Sequence, residues 1–507
     1  MTPDIGLANW FRQRAARTPE RLALRFEGRD WTYKEMQREI EDGAARLAAL
    51  GVAKGDRVAF LGLNQPMFLF SMFAAARLAA IFVPLNFRLT GPELAFMLGD
   101  CAARALIVDA QHRLVIEPQR QSLPALKAFL PAEDPAQWAK DPSPAEPVPA
   151  CHDDVALIMY TSGTTGRPKG AMLTHGNIWW NNANGMHALD ALADDVTLVP
   201  APIFHIGGLN VTTLMAFQKG ALVVLHRAFD PARALAEIAA HKITTMFGVP
   251  AMFLFMAQHP SFAETDLSSV RMFIVGGAPC PLPLLKTYLD RGVRMQQGYG
   301  LTETAPMVSF LAPEFALTKV GSAGRPPLFV EVKIVDSEGR LVEAPRTQGE
   351  ILVRGPNVTP GYWGLPDATA LAIDKEGWFR TGDAGFFDEE GFLTISDRIK
   401  DMINTGGENV YPAEVESALI RHPAIAEVAV IGEPDAQWGE GVVAIAALKP
   451  GRSLTIEELR AFAEPWLARY KLPRRLEFVA ALPRNATGKI LKYQLREAFA
   501  RPKSAAE

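Results

Sequence analysis

Cysteine is scarce in this chain. Cys101, Cys151 and Cys280 are too few and too scattered for a disulfide framework, and no Cys/His spacing forms a zinc site. A charge excess is missing too: 52 Lys and Arg against 56 Asp and Glu leave −4 over 507 residues, which gives no field for nucleic acid. No stretch stays apolar long enough to promise a membrane span. The nearest, Met67 to Pro84, is interrupted by Arg77 and ends on proline, and reads as a buried helix running into a strand. The opening Met-Thr-Pro-Asp-Ile has no basic region ahead of an apolar one, so no signal peptide is expected and the cytoplasm is the expected compartment. Internal repeats and low-complexity tracts are absent as well. What is present is an ordinary globular composition, 49% hydrophobic and 21% charged, in a chain too long for one core.

The densest run of chemistry-bearing residues extends from Tyr160 to Thr174. It follows a short apolar run, Val155 to Met159, that reads as a buried strand, and precedes His175-Gly-Asn, which reads as a helix start. The run holds hydroxyls on Thr161, Ser162, Thr164 and Thr165, glycines at Gly163 and Gly166, and cations at Arg167 and Lys169. Glycine lets backbone N–H groups approach a ligand closely, and N–H groups, hydroxyls and a lysine together offset phosphate charge. No Gly-Lys-Ser/Thr triplet closes the loop, so it is not a Walker loop.

Along the chain, strands alternate with helices. Thr32-Tyr-Lys-Glu35 has capping-box form and opens a helix to Leu50, stopped by Gly51. Val58–Leu61, Phe82–Pro84, Arg104–Val108, Ala221–Leu225, Ile243–Phe247 and Val270–Val275 read as strands; Phe68–Ala80 and Pro231–His241 read as helices. This alternation implies a parallel, doubly wound α/β sheet. Leu130 to Ala150 carries six prolines and reads as a linker or surface meander. Near Lys333 the texture changes to short strands with Gly and Pro punctuation, as in a small barrel-like subdomain. A boundary falls around Ser396 to Lys400, with a compact α+β unit beyond it.

Further motifs carry chemistry. His205 lies in Ala201-Pro-Ile-Phe-His-Ile-Gly-Gly-Leu209; alone it would read as a packed structural histidine. Val275-Gly-Gly-Ala-Pro279 offers a turn, with Gly276, Gly277, Ala278 and Pro279, against which a flat ring could lie. Gln297-Gly-Tyr-Gly-Leu-Thr-Glu303 offers more: Gln297, Gly298 and Gly300 around a stacking face on Tyr299, a hydroxyl on Thr302 and a carboxylate on Glu303 suited to Mg²⁺. Asp383 follows Arg380-Thr-Gly and reads as an acid after a tight turn. Arg398 and Lys400 stand in Asp397-Arg-Ile-Lys-Asp401. Gly406 and Gly407 form a turn, and Lys489 ends Pro483-Arg-Asn-Ala-Thr-Gly-Lys.

In this order, over nearly the whole chain, these strings resemble the adenylate-forming superfamily of acyl-CoA synthetases, luciferases and peptide-synthetase adenylation domains. The resemblance implies a large N-terminal AMP-binding domain, residues 1–397, hinged to a mobile C-terminal domain, residues 398–507. It implies an acid–thiol ligase using ATP, Mg²⁺ and CoA. The loop at Thr161–Gly166 and Lys169 would hold phosphates, Tyr299 the adenine, Thr302 a phosphate, Glu303 the Mg²⁺ and Asp383 the ribose. Arg398 would contact nucleotide, Lys400 would be the hinge, Gly406 and Gly407 would line the pantetheine channel, and Lys489 would bridge carboxylate and α-phosphate. His205 would border the carboxylate pocket, which Gly207, Gly208, Val249 and Gly276 continue.

Peptide-synthetase domains usually carry an aspartate where His205 stands, so an amino-acid substrate is not expected. No cation in the pocket segments suits a second carboxylate, which argues against dicarboxylates. The pocket segments are apolar, with glycine at position 207, and the chain resembles bacterial fatty-acyl-CoA synthetases and feruloyl-CoA synthetases; a medium- to long-chain fatty acid is the expected substrate, with a feruloyl- or hydroxycinnamoyl-type acid second. A nucleotide-binding scaffold and a light-emitting oxygenase are the alternatives in other classes; intact Lys489, Glu303 and Asp383 argue against the scaffold. The resemblance also allows a homodimer, peripheral membrane contact and acetylation of Lys489.

Overall fold

The computed structural model describes residues 4–140, 142–161, 167–405, 408–435, 438–484 and 490–499. They divide into two compact units, Met1–Val332 with Val353–Arg380, and Lys333–Leu352 with Thr381–Glu507.

The first unit is built on two sheets. In chain order the strands of these two sheets are Leu22–Phe26 (β1), Arg29–Thr32 (β2), Arg57–Leu61 (β3), Ile81–Leu85 (β4), Ala105–Val108 (β5), Ala128–Pro131 (β6), Val155–Thr161 (β7), Lys169–Thr174 (β8), Val196–Val199 (β9), Leu222–Leu225 (β10), Thr245–Gly248 (β11), Met272–Gly276 (β12), Met295–Gly300 (β13) and Met307–Leu311 (β14). One sheet runs β6-β5-β3-β4-β7-β8, parallel except for the last pair. The other runs β14-β13-β12-β11-β9-β10-β1-β2, parallel at its centre with an antiparallel strand at each edge. Parallel neighbours need a crossover, and helices such as Pro66–Arg77 and Pro231–His241 supply it. Strands covered on both faces read as continuous apolar runs, which is why Ile81–Leu85 and Ala105–Val108 are buried throughout.

The helix Tyr33–Ala49 begins on the expected capping box, with Thr32 Oγ1 accepting from the Glu35 N–H and Glu35 accepting from the Thr32 N–H. Tyr33 is fully buried against Phe11, which in turn packs on Phe73 and Phe217, and its hydroxyl donates to the Ala221 carbonyl at 2.7 Å. That bond satisfies a phenol that would otherwise be costly to bury. Cys101 and Cys280 are buried, and burial pushes their thiols up to about 11 and about 12.

Two expectations change. The residues after the Gly/Ser/Thr run form a strand, β8, pairing antiparallel with β7 so that Thr161 faces Lys169. The proline-rich stretch opens on β6, and Trp138 docks by donating Nε1–H to the Pro131 carbonyl at 2.7 Å.

In the second unit, Phe379–Phe387 and Leu393–Arg398 pair antiparallel, and Ile425–Asp435 pairs antiparallel with Gly439–Leu448. Alternate residues of the latter pair face two cores. Val428, Val430, Val442 and Ala444 meet the helices Pro412–Leu419 and Ile456–Ala463, while Ala429, Ile431, Val443 and Ile445 meet Leu495 of the helix Lys492–Phe499. A strand, Glu408–Val410, separates the predicted glycine turn from the helix after it. No helix among the described residues is long and apolar enough to cross a membrane.

Candidate active site

Four nominated segments of the first unit leave the carboxyl ends of adjacent parallel strands. His205 follows β9, Val249 follows β11, Gly277 to Pro279 follow β12, and Leu301 to Glu303 follow β13. Open α/β sheets bind ligands at these ends. The sheet therefore converges residues that the sequence spreads over nearly a hundred positions.

Glu303 sits in a short 3₁₀ turn, Thr302–Thr304, with 8% of its surface exposed. The Tyr362 hydroxyl donates to its Oε1 at 3.0 Å, and Thr161 Oγ1 lies 3.4 Å from the same oxygen. The Lys169 ammonium stands 5.2 Å above the Tyr362 ring, so hydroxyl, carboxylate, phenol and cation share one corner. Three buried asparagines fix the backbone around it. Asn357 donates to the Thr304 and Met307 carbonyls at 2.6 and 2.8 Å, Asn210 to the Ala305 carbonyl at 3.1 Å, and Asn181 accepts from the Met307 N–H at 3.2 Å. They hold Ala305 in the left-handed region, φ 64°, which costs a residue with a Cβ on the order of 1–2 kcal/mol. At Gly300 a Cβ would strike the Pro306 carbonyl oxygen, so only glycine passes. Gln297 accepts from the Cys280 N–H at 3.2 Å through Oε1, while its buried Nε2 has no partner among the described residues.

His205 caps the helix Ile206–Asn210, its Nδ1 accepting from the Gly207 N–H at 3.4 Å, which leaves the ring proton on Nε2. The ring is reached by solvent yet crowded by protein, as in a side chain lining a deep cleft; desolvation lowers its pKa and keeps it neutral at pH 7. Gly207 does not face open space as the sequence suggested. A Cβ there would lie 2.8 Å from the Phe247 ring, and one at Gly276 would lie 3.4 Å from it. The two glycines make a slot, and Phe247 fills it as the half-exposed member of an otherwise buried strand. At Gly208 a Cβ would collide with the Pro202 carbonyl, so that glycine serves packing.

In the second unit Asp383 and Arg398 are cross-strand partners, with Arg398 Nε 2.7 Å from Asp383 Oδ1. Asp383 is in mid-strand rather than after a free-standing turn, although Gly382 bends the strand at φ 67°. Arg398 also donates to the Thr381 carbonyl at 3.0 Å, so its guanidinium orients Asp383.

A family model described as AMP-binding enzyme matches residues 11–363, and one described as AMP-binding enzyme C-terminal domain matches residues 414–489.

The chain belongs to the AMP-binding enzyme family.

Its relatives include a feruloyl-CoA synthase of Amycolatopsis sp, 44% identical over 97% of this chain and 99% of the relative. A long-chain-fatty-acid–CoA ligase of Mycobacterium tuberculosis is 40% identical over 96% of this chain and 97% of its own. An O-succinylbenzoate coenzyme A synthetase of Bacillus subtilis, solved with ATP and magnesium ion, superimposes with a TM-score of 0.88 at 35% identity, over 96% of this chain and 99% of that one.

Within this AMP-binding enzyme, several nominated residues lie outside those described: Ser162, Gly163, Thr164, Thr165, Gly166, Gly406, Gly407 and Lys489, together with the side chain of Lys400. Tyr362 and the three asparagines were not nominated. The tyrosine stands in Thr359-Pro-Gly-Tyr-Trp, whose Met172 and Gly170 backbone partners on β8 come from another part of the chain. A single nearly buried carboxylate with hydroxyl oxygens of Tyr362 and Thr161 beside it is a donor set that would suit Mg²⁺, which takes one or two carboxylates together with substrate phosphates. Glu303→Gln is expected to raise the Mg²⁺ needed for half-maximal ATP–pyrophosphate exchange by tenfold or more, roughly the loss of one charged contact. Asn357→Ala, which unpairs two buried carbonyls at about 1–3 kcal/mol each, is expected to lower exchange by at least about tenfold with the circular dichroism spectrum unchanged.

Proposed function

We propose that this ligase activates a flat aromatic acid of the hydroxycinnamate kind as its acyl-adenylate and passes the acyl group to CoA. The ligase class rests on the family: the chain is an AMP-forming acid–CoA ligase working with ATP, Mg²⁺ and CoA. In the first step a carboxylate oxygen attacks the α-phosphorus of ATP and pyrophosphate leaves. In the second the CoA sulfur attacks the acyl carbon, the thiol proton is lost, and AMP leaves. Glu303 would hold Mg²⁺, which when bound draws charge from the phosphates. Lys169 and Thr161 face phosphate oxygens in this reading, the His205 Nε2–H donates to the acid, and Asp383, oriented by Arg398, receives the ribose hydroxyls. Lys489 bridges the carboxylate and the α-phosphate in the first step. The residues beyond Lys400 then change pose so that the second can proceed.

The single observation supporting an aromatic acid is Phe247 between Gly207 and Gly276, a ring in a slot that shortens the pocket and offers a stacking edge. The Amycolatopsis sp relative fits that reading. A medium- to long-chain fatty acid is the second reading, favoured by the apolar pocket segments and by the mycobacterial relative; it requires Phe247 to swing aside.

Acids assayed for CoA-dependent AMP release test this directly. Ferulate is expected to exceed decanoate and palmitate in kcat/KM, and the reverse order establishes the fatty acid. Phe247→Ala should shift the preference toward alkanoic acids by at least about tenfold, since one methylene in an apolar pocket is worth about 1–3 kcal/mol; proportionate loss for all acids would remove Phe247 from the pocket. Lys489→Ala should lower adenylation by on the order of 10²–10³ or more, the scale for a preorganised donor, while a supplied acyl-adenylate still reacts with CoA at near the normal rate. Equal loss in both steps would contradict the role given to Lys489.

A further inference from the structure

We infer that Asp397 and Lys492 form a clasp across the Lys400 hinge that positions the lysine-bearing tail for adenylation; the inference rests on the roles proposed above for Lys400 and Lys489. Asp397 lies three residues before Lys400, and Lys492 three residues after Lys489. Lys492 Nζ stands 3.8 Å from Asp397 Oδ2 and 2.9 Å from Glu416 Oε1, and these side chains are 13, 10 and 20% exposed. Asp397 Oδ2 also accepts from the Ala413 N–H at 2.7 Å, and Glu416 Oε1 from the Val430 N–H at 2.7 Å. One turn further along the same helix, Arg496 Nη2 meets Asp401 Oδ1 at 2.6 Å. The tail helix is therefore tied to the hinge segment on both sides of Lys400.

The two partners of Lys492 differ in what a rotation about Lys400 does to them. Glu416 follows the hinge, so the Lys492–Glu416 pair travels intact and the Lys492 ammonium keeps a partner. Asp397 precedes the hinge, so its ion pair with Lys492 and its hydrogen bond from the Ala413 N–H must break. Glu416 is the constant partner and Asp397 the switchable one. A buried ion pair adds little net stability compared with apolar packing, but it specifies one arrangement over another. The Asp397 end adjoins Arg398, which orients Asp383, so the clasp sets the tail against the ribose-binding pair. Asp397 and Lys492 are thus positioning residues, acting through Lys489 and touching no substrate.

The test separates the half-reactions. Asp397→Ala should lower acid-dependent ATP–pyrophosphate exchange by about tenfold, the scale of a coupling between two conformations. Thioester formation from supplied acyl-adenylate and CoA should stay within about twofold of normal. Asp397→Asn, which keeps an acceptor for the Ala413 N–H, should fall between the two, and Lys492→Arg should retain exchange because it keeps the charge. An equal fall in both half-reactions, a fall confined to thioester formation, or no change in Asp397→Ala would overturn the clasp. Lys489→Ala run alongside distinguishes the two failures: full exchange in that variant overturns the functional reading, and the clasp with it.

Discussion

A carboxylate held almost out of water at the open end of a parallel sheet is the constraint around which this enzyme is arranged. Glu303 is nearly buried, so its surroundings have to replace water, and in the proposed reading they must also leave it available to a hard cation. The Tyr362 hydroxyl and Thr161 do so at one oxygen, while Thr359 ties its backbone carbonyl at 2.7 Å. The asparagines at 181, 210 and 357 then lock the left-handed turn that follows. Electrostatic catalysis depends on such preorganisation, because groups already in place need no reorientation as charge shifts toward the leaving phosphate.

The second unit answers a different requirement. A ligase that uses one cleft for two chemistries must remove the groups serving the first before the second begins. Charged contacts suit this purpose better than apolar ones, since water can take over their partners when they part. The Asp383–Arg398 pair belongs to the permanent part of this arrangement, sealed by strand pairing. In the proposed clasp the ties around Asp397 straddle the pivot and are the exchangeable part. Both sides of Lys400 lie in one compact unit, Lys333–Leu352 with Thr381–Glu507.

The sequence made the parallel sheets legible because strands buried on both faces leave continuous apolar runs, as at Val58–Leu61 and Ala105–Val108. The Thr32–Glu35 box was legible because its partners are three residues apart. Most nominated site residues were legible only as strings, through resemblance; the sheet explains their convergence. β8 was missed because it begins on a lysine and a glycine and takes its strand character from pairing with β7. Tyr362 was hidden by its distance, 59 residues, from Glu303, and Asn181 by 126 residues from Met307. Gly207 was read as open space because a sequence shows the absent side chain and not Phe247, which occupies the room it leaves.

Every role described above requires that this chain split ATP between the α- and β-phosphates in order to activate a carboxylic acid. Exchange of labelled pyrophosphate into ATP, without CoA and over an acid series, measures that step alone. Exchange is expected to require both Mg²⁺ and a monocarboxylic acid, with AMP appearing in equal amount to thioester once CoA is added. ADP as the nucleotide product, or exchange indifferent to the acid, would contradict it.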